Sequence, residues 1–264
     1  MSRDNHVTEV HAEPVIPYDS EKLAYLTLHR GLIVRRALLA SAIRGFLPLP
    51  VVDEVLASRV RAGLYMKLAA GRQVDLRPAA AAALAEVKGK GALAKLTLVA
   101  TAAVIAKFAQ RKFLAFLAAG RSAEEMARTF YSATLFDHYC AKLHVGGEVT
   151  PERAARLRAC LAVQANDVGP VLAAFREGSA ILGRSLLEAP RWVSRRIAVL
   201  GERFVHSGGN PDVLDAFPER ASGENAWLDR AAHAVEETMA RAGNEHLTQI
   251  VRTFEERWHT ESTD

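Results

Sequence analysis

Residues 42–56 run Ala42-Ile43-Arg44-Gly45-Phe46-Leu47-Pro48-Leu49-Pro50-Val51-Val52-Asp53-Glu54-Val55-Leu56, and the proline pair at their centre decides how the chain folds. Each proline removes a backbone donor and pushes the residue before it out of the helical region, so a helix arriving at Phe46 stops there. Upstream, Leu23, Leu26, Leu28, Leu32, Ile33, Leu38, Leu39 and Ile43 form a broad apolar face from an N-cap at Asp19 or Ser20. Downstream, Asp53 and Glu54 fall in a first turn, where the helix dipole favours anions, and Val55, Leu56, Val60, Leu64, Met66 and Leu68 carry a second helix to Gly71. Two such helices joined by so short a break fold back on each other as a hairpin. The expected fold class is therefore all-α, a multi-helix bundle of antiparallel helical hairpins.

The same punctuation continues outward. Asp75 is placed to cap a helix with Pro78 in its first turn, running through the alanines to Val87, where Lys88-Gly89-Lys90-Gly91 interrupts it. Further helices are expected over 92–119, over 122–144 with Ser122 and Glu125 at the capping-box spacing, and from the cap at Thr150-Pro151 to about 165. Others follow over 170–187, 191–205 and from Asn225 or Asp229 to Trp258 with a break at Gly243. No stretch alternates as a β-strand does. Gly146-Gly147 marks a boundary between two helical subdomains, giving a flexible arm at 1–20, a basic subdomain at 21–145, a second subdomain at 148–259 and a short tail at 260–264.

Half the residues are apolar and 24% are charged, so the chain has the makings of a packed core. Two cysteines, Cys140 and Cys160, make no disulfide framework, and residues 1–20 have no apolar segment of the signal-peptide kind. A cytoplasmic protein is the expectation. Residues 96–106 and 78–85, the most apolar stretches, fall short of the roughly 20 residues needed to span a bilayer. Charge is laid out unevenly: residues 22–121 hold 17 Lys or Arg against four acids, a balance of +13, while 122–264 hold 16 against 21, a balance of −5. Either the basic segment meets an anionic partner or the acidic remainder folds over it.

Motifs for chemistry are few. Asp137, Cys140 and His144 lie at i, i+3 and i+7, on one face of an unbroken helix, and are the candidate metal ligands by residue type. Glu256-Arg257-Trp258-His259 is a single Glu-x-x-His where a di-metal bundle needs two, and His233 with Glu237 shares a face at i, i+4. Gly89-Lys90-Gly91 lacks the order of a phosphate-binding loop, and His206-Ser207 stands in no nucleophile elbow. Asp53, His138 and His144 are available for acid–base work, but nothing selects one, so no catalytic residue and no cofactor are assigned. For an anionic surface the candidates are Arg35, Arg36, Arg44, Arg59, Arg61, Lys88, Lys90 and Lys95, on amphipathic helices and at the glycine hinge.

The run from Ala42 to Asp53, with its Pro-x-Pro-x-x-Asp signature, resembles the helical hairpin of the EcsC-like and YcjF-type families. The likeness covers about residues 33–140. It implies a helical protein often associated with membranes or with GTPases, and it brings no catalytic residues. The resulting expectation is a non-enzymatic helical module that docks on anionic phospholipid at the inner face of the membrane, or on an acidic protein. Nucleic acid is the weaker partner, since aromatic residues are scarce in the basic segment. Two other readings stand beside it: a helical enzyme or ligand-binding protein with its pocket between the two halves, and a self-associating homo-oligomeric scaffold.

Overall fold

The computed structural model of the chain describes residues 20–46, 50–86, 121–162, 168–188, 226–242 and 245–263. Among them are eight α-helices and no strand: α1 (Arg30–Phe46), α2 (Pro50–Gly71), α3 (Pro78–Leu84), α4 (Arg121–His138), α5 (Pro151–Leu161), α6 (Gly169–Glu188), α7 (Ala226–Ala242) and α8 (Glu245–Thr263). A 3-10 turn (Ser20–Thr27) precedes α1, and a π-turn (Tyr139–Leu143) follows α4. The fold is all-α, as the periodicity predicts. Expected helices 92–119 and 191–205, the arm at 1–19 and the residues Leu47, Pro48 and Leu49 lie outside the described residues.

Helices α1 and α2 pack along each other, and Gly71 at the end of α2 reaches His29 just before α1, so the pair runs antiparallel. Around them, α4 forms the axis of the bundle and touches α1, α2, α5, α6 and α8. Its sequence explains this position: every residue from Ala133 to Cys140 is buried, and a helix segment closed off on all sides belongs at a core centre. Phe136, Tyr131 and Phe130 are among its largest buried side chains, each contributing about 1.5–3 kcal/mol by burial. One hydrophobic core runs from Leu23 to Trp258, and α1 on α7, α3 on α5 and α4 on α6 carry it across the boundary expected at Gly146-Gly147.

Local signals account for several ends. Thr150 accepts from Arg153 N at 3.3 Å with Pro151 at the first helical position, the cap the sequence predicts for α5. Helix α2 closes in a Schellman motif: Val74 N donates to Ala69 O at 2.9 Å and Gln73 N to Ala70 O at 3.1 Å, with Gln73 at φ 58°. That cap fixes where Arg72 points.

Other ends differ from expectation. Asp75 does not cap α3; Arg77 holds the N-cap position with no side-chain bond, and the Asp75 carbonyl accepts from Val149 N at 2.9 Å, beside an isolated parallel bridge between Leu76 and Val149. Ser122 lies within α4, its Oγ buried without a hydrogen-bond partner, so no capping box forms. The expected tail is helical through Thr263, with Thr260 Oγ1 donating to Glu256 O at 3.0 Å. The first helix is broken at residues 28–29, where Leu28, expected on the apolar face, is 70% exposed, and just before the break the Tyr25 carbonyl accepts from the Arg72 guanidinium at 2.8 Å.

Helices α6 and α7 approach closely over Gly178, where a Cβ would collide with Val235 Cγ2. Intrinsic propensity favours alanine over glycine within a helix by about 1 kcal/mol, yet overpacking costs about 1–3 kcal/mol. Gly178→Ala is therefore expected to lower the urea midpoint, and Val235→Ala placed on top of it to recover part of the loss. A stabilised Gly178→Ala would show that the helices are free to part.

Candidate functional site

Two ionisable residues, Asp137 and His138, sit side by side in the buried stretch of α4. Burying a carboxylate costs several kcal/mol unless donors surround it, and here three do. Arg72 approaches as a fork, its Nε donating to Asp137 Oδ1 at 2.8 Å and its Nη2 to Oδ2 at 2.7 Å. His29 Nδ1–H donates to Oδ1 at 2.8 Å. The Asp137 side chain is fully buried and that of Arg72 only 14% exposed. Its bonds to Asp137 hold the Arg72 guanidinium above even its ordinary high pKa, against the opposing effect of burial. With a third bond, from Nη2 to the Tyr25 carbonyl, Arg72 ties the end of α2 to both the 3-10 turn and α4.

His138 faces the other way. Its Nε2 lies 2.9 Å from Glu255 Oε1 of α8, and its Nδ1 bonds the Tyr25 hydroxyl. The His138 side chain is only 3% exposed, against 34% for Glu255. Burial lowers the His138 pKa, outweighing the pull of Glu255 in the other direction, and Lys142 lowers it further. A neutral ring carries one proton, and a carboxylate can only accept, so the proton belongs on Nε2 and Nδ1 accepts from Tyr25. Tyr25 keeps its own proton, its pKa pushed up to about 12 by burial and by the carboxylates of Glu255 and Asp137. Lys142 Nζ lies 5.0 Å and Arg72 Cζ 5.6 Å from the centre of the Tyr25 ring.

The cluster continues into aromatic packing through the π-turn. Tyr139 meets Trp258 of α8 edge-on at 5.1 Å between centroids and His144 at 5.7 Å, with Arg153 at 5.8 Å from both the Tyr139 and Trp258 rings.

The residues expected to bind metal are not brought together. The π-turn inserts extra backbone after His138 and leaves His144 extended (φ −74°, ψ 117°), so the i, i+3, i+7 face does not reach it. His144 bonds the Gly147 carbonyl at 3.1 Å and Tyr139 Oη at 3.3 Å. Asp137 is saturated by Arg72 and His29, and burial, then Asp137, raises the Cys140 thiol far above its ordinary pKa, away from the thiolate a metal needs. Among the described residues no three His, Cys, Asp or Glu gather in ligating geometry. Of the Glu-x-x-His run, Glu256 and His259 are exposed while Trp258 between them is buried, and His233 is exposed on α7.

The basic candidates divide. Arg35 is solvated and pairs with Asp229 of α7 at 2.8 Å, while Arg36 is buried. Arg59 and Arg61 are half-buried on α2. Arg44 belongs to α1 by its backbone, and Lys88, Lys90 and Lys95 lie outside the described residues. Sequence reasoning passed over Tyr25, His29 and Glu255 entirely; the one local signal was Arg72 directly after Gly71, at a helix end.

Both oxygens of Asp137, both nitrogens of His138 and the Tyr25 hydroxyl are engaged within the cluster. What the arrangement does is hold the 3-10 turn, α2, α4 and α8 in one register. No protein family matches this sequence, and neither a curated protein nor a solved structure shows significant similarity to it.

Removing the carboxylate leaves Arg72 buried without its counter-charge, a change that typically costs about 3–5 kcal/mol. Asp137→Ala should show a loss of that size by urea unfolding. Glu124→Ala, which removes an exposed pair with Arg128 on the same helix, should stay within about 1 kcal/mol. Equal effects for the two variants would mean that the buried cluster contributes no more than the surface.

Proposed function

We propose that the protein is a helical docking module whose contact with an anionic membrane surface falls to residues 87–120 rather than to the arginines of α1. The observation that carries this reading is the distribution of charge. Three cations of the basic half are tied to acids of the other half: Arg35 to Asp229, Arg72 to Asp137, and Arg77 to Glu148 at 2.8 Å. Residues 87–120 have six cations, Lys88, Lys90, Lys95, Lys107, Arg111 and Lys112, and no acid at all. The same segment holds Leu93, Leu96, Leu98, Val104, Ile105, Phe108, Phe113 and Phe116. Cations with apolar side chains between them suit the headgroup boundary, where lysine and arginine stems reach past the apolar phase. An acidic protein would supply the charge without that phase. No helix among the described residues is long and apolar enough to cross a membrane, which fits attachment from one side. The hairpin's resemblance to families often found at membranes points the same way.

Cosedimentation with phosphatidylcholine vesicles, with and without phosphatidylglycerol, tests this. Each lysine near an anionic surface is worth about 1 kcal/mol, so replacing Lys88, Lys90 and Lys95 by glutamine should weaken partitioning roughly 100-fold. Binding should also fall steeply with salt. Pelleting that ignores anionic lipid, or a triple variant that binds like the parent, would overturn the proposal.

A further inference from the structure

Exposed apolar residues need no explanation when they stand singly. Among the described residues two large ones are strongly exposed, Leu28 at 70% and Val145 at 83%, and they share one end of the bundle. Lys142 Nζ lies 5.0 Å from the centre of the Tyr25 ring, and Leu28 comes three residues after Tyr25 as Val145 comes three residues after Lys142. Two further contacts tie the same end together. His29, next to Leu28, lies against Gly71 at the end of α2, and Val149, four residues beyond Val145, donates to the carbonyl of Asp75, four residues beyond Gly71.

Backbone geometry and charge both set these residues apart. Leu28 falls in the break between the 3-10 turn and α1, while Val145 stands in a loop closed by the bond from His144 to the Gly147 carbonyl, with Gly146 at φ 45° and Gly147 at φ 79°. Residues 22–52 contain no acid and neither do residues 138–147, whereas Arg30 and the exposed Lys142 lie within them. Glu148, the next acid, is paired with Arg77 at 2.8 Å, and the exposed Asp75 adjoins the far end of the loop, where its carbonyl receives Val149 N. The same end also adjoins the start of the acid-free segment 87–120. From the bridge between Leu76 and Val149, α3 and α5 leave packed together, and Glu86 pairs with Arg158 at 3.1 Å. Arg158 is only about 12 Å along α5 from Thr150.

We propose that Leu28 and Val145 are shallow membrane anchors that enter the headgroup boundary of an anionic bilayer, with Lys142 between them on its phosphates. This inference rests on the docking reading given above and adds a second, apolar contact to the cationic one. Side chains this exposed project from the surface rather than line a groove. A fluid acyl boundary closes around a projecting side chain wherever it stands, whereas a folded partner would need two pockets cut to match. The lysine stem lies along Tyr25 and its ammonium remains in water, the arrangement that suits a phosphate layer just above apolar side chains.

Cosedimentation of the full chain with vesicles of phosphatidylcholine and phosphatidylglycerol, at roughly 0.1 M and roughly 0.3 M salt, tests the anchors. Leu28→Ser and Val145→Ser should each weaken partitioning roughly fivefold, and the two together roughly 25-fold. Both variants should keep the parent's urea midpoint, since the side chains are exposed in the folded protein. The loss should persist at the higher salt, which screens the lysines and leaves apolar transfer in place. Val145→Trp should shift its emission to the blue on these vesicles by more than the parent's own tryptophans do. A parent that fails to pellet overturns the docking reading and the anchors together. A parent that pellets overturns the anchors alone if the double variant pellets equally, if the difference vanishes at the higher salt, or if the Val145→Trp emission stays where it was, and each of these results leaves Leu28 and Val145 to a protein surface.

Discussion

The carboxylate of Asp137 is fully buried at the centre of the bundle and cannot remain there without cations and donors around it. Most of the unusual features nearby follow from that constraint. Arg72 must arrive from the end of α2, which the left-handed Gln73 in the Schellman cap arranges. His29 must turn its ring inward, and Gly71 leaves room for it, since a Cβ there would stand 2.8 Å from His29 Nε2. Arg72 also bonds the carbonyl of Tyr25, which joins the first turn to the same cluster. One buried charge thus gathers the end of α2, His29 and, through Arg72, the first turn around it.

Charge also organises the chain at a larger scale. The polarity visible in composition, +13 over residues 22–121 and −5 over 122–264, is partly resolved inside the fold by the Arg72–Asp137, Arg35–Asp229 and Arg77–Glu148 pairs. The last two are solvated pairs worth about 0–1 kcal/mol each, so they orient helices more than they stabilise them. The buried pair is of a different kind, because losing either partner strands the other. Pairing within the described bundle shifts attention from the arginines of α1 to the acid-free segment 87–120, on which the membrane-docking proposal rests.

How much of this was legible depended on range. The hairpin could be read from Pro48 and Pro50, and the start of α5 from Thr150 and Pro151, because those signals act through the backbone of adjacent residues. Helical periodicity likewise gave α2 and α6 nearly to the residue. The polar cluster was out of reach. His29 and Asp137 are 108 positions apart, Arg72 and Asp137 65, and His138 and Glu255 117, and no single residue advertises such a partner. The metal reading of Asp137, Cys140 and His144 had presumed regular α-helical geometry, which the π-turn at Tyr139–Leu143 interrupts. Asp75 and Ser122 show the same limit: both are good caps by residue type, yet Arg77 takes the N-cap of α3 and Ser122 stands inside α4 with its Oγ unpartnered.

A double-mutant cycle on Arg72→Met and Asp137→Leu, read by urea unfolding, bears most directly on the claim that this one pair governs its surroundings. Each single change strands a buried polar partner, and the double change removes both together, so a coupling of about 2 kcal/mol or more is predicted, in the upper part of the range for residues in contact. A coupling below about 0.5 kcal/mol, the size found for exposed ion pairs, would contradict the account and leave the inward turn of His29 without its cause.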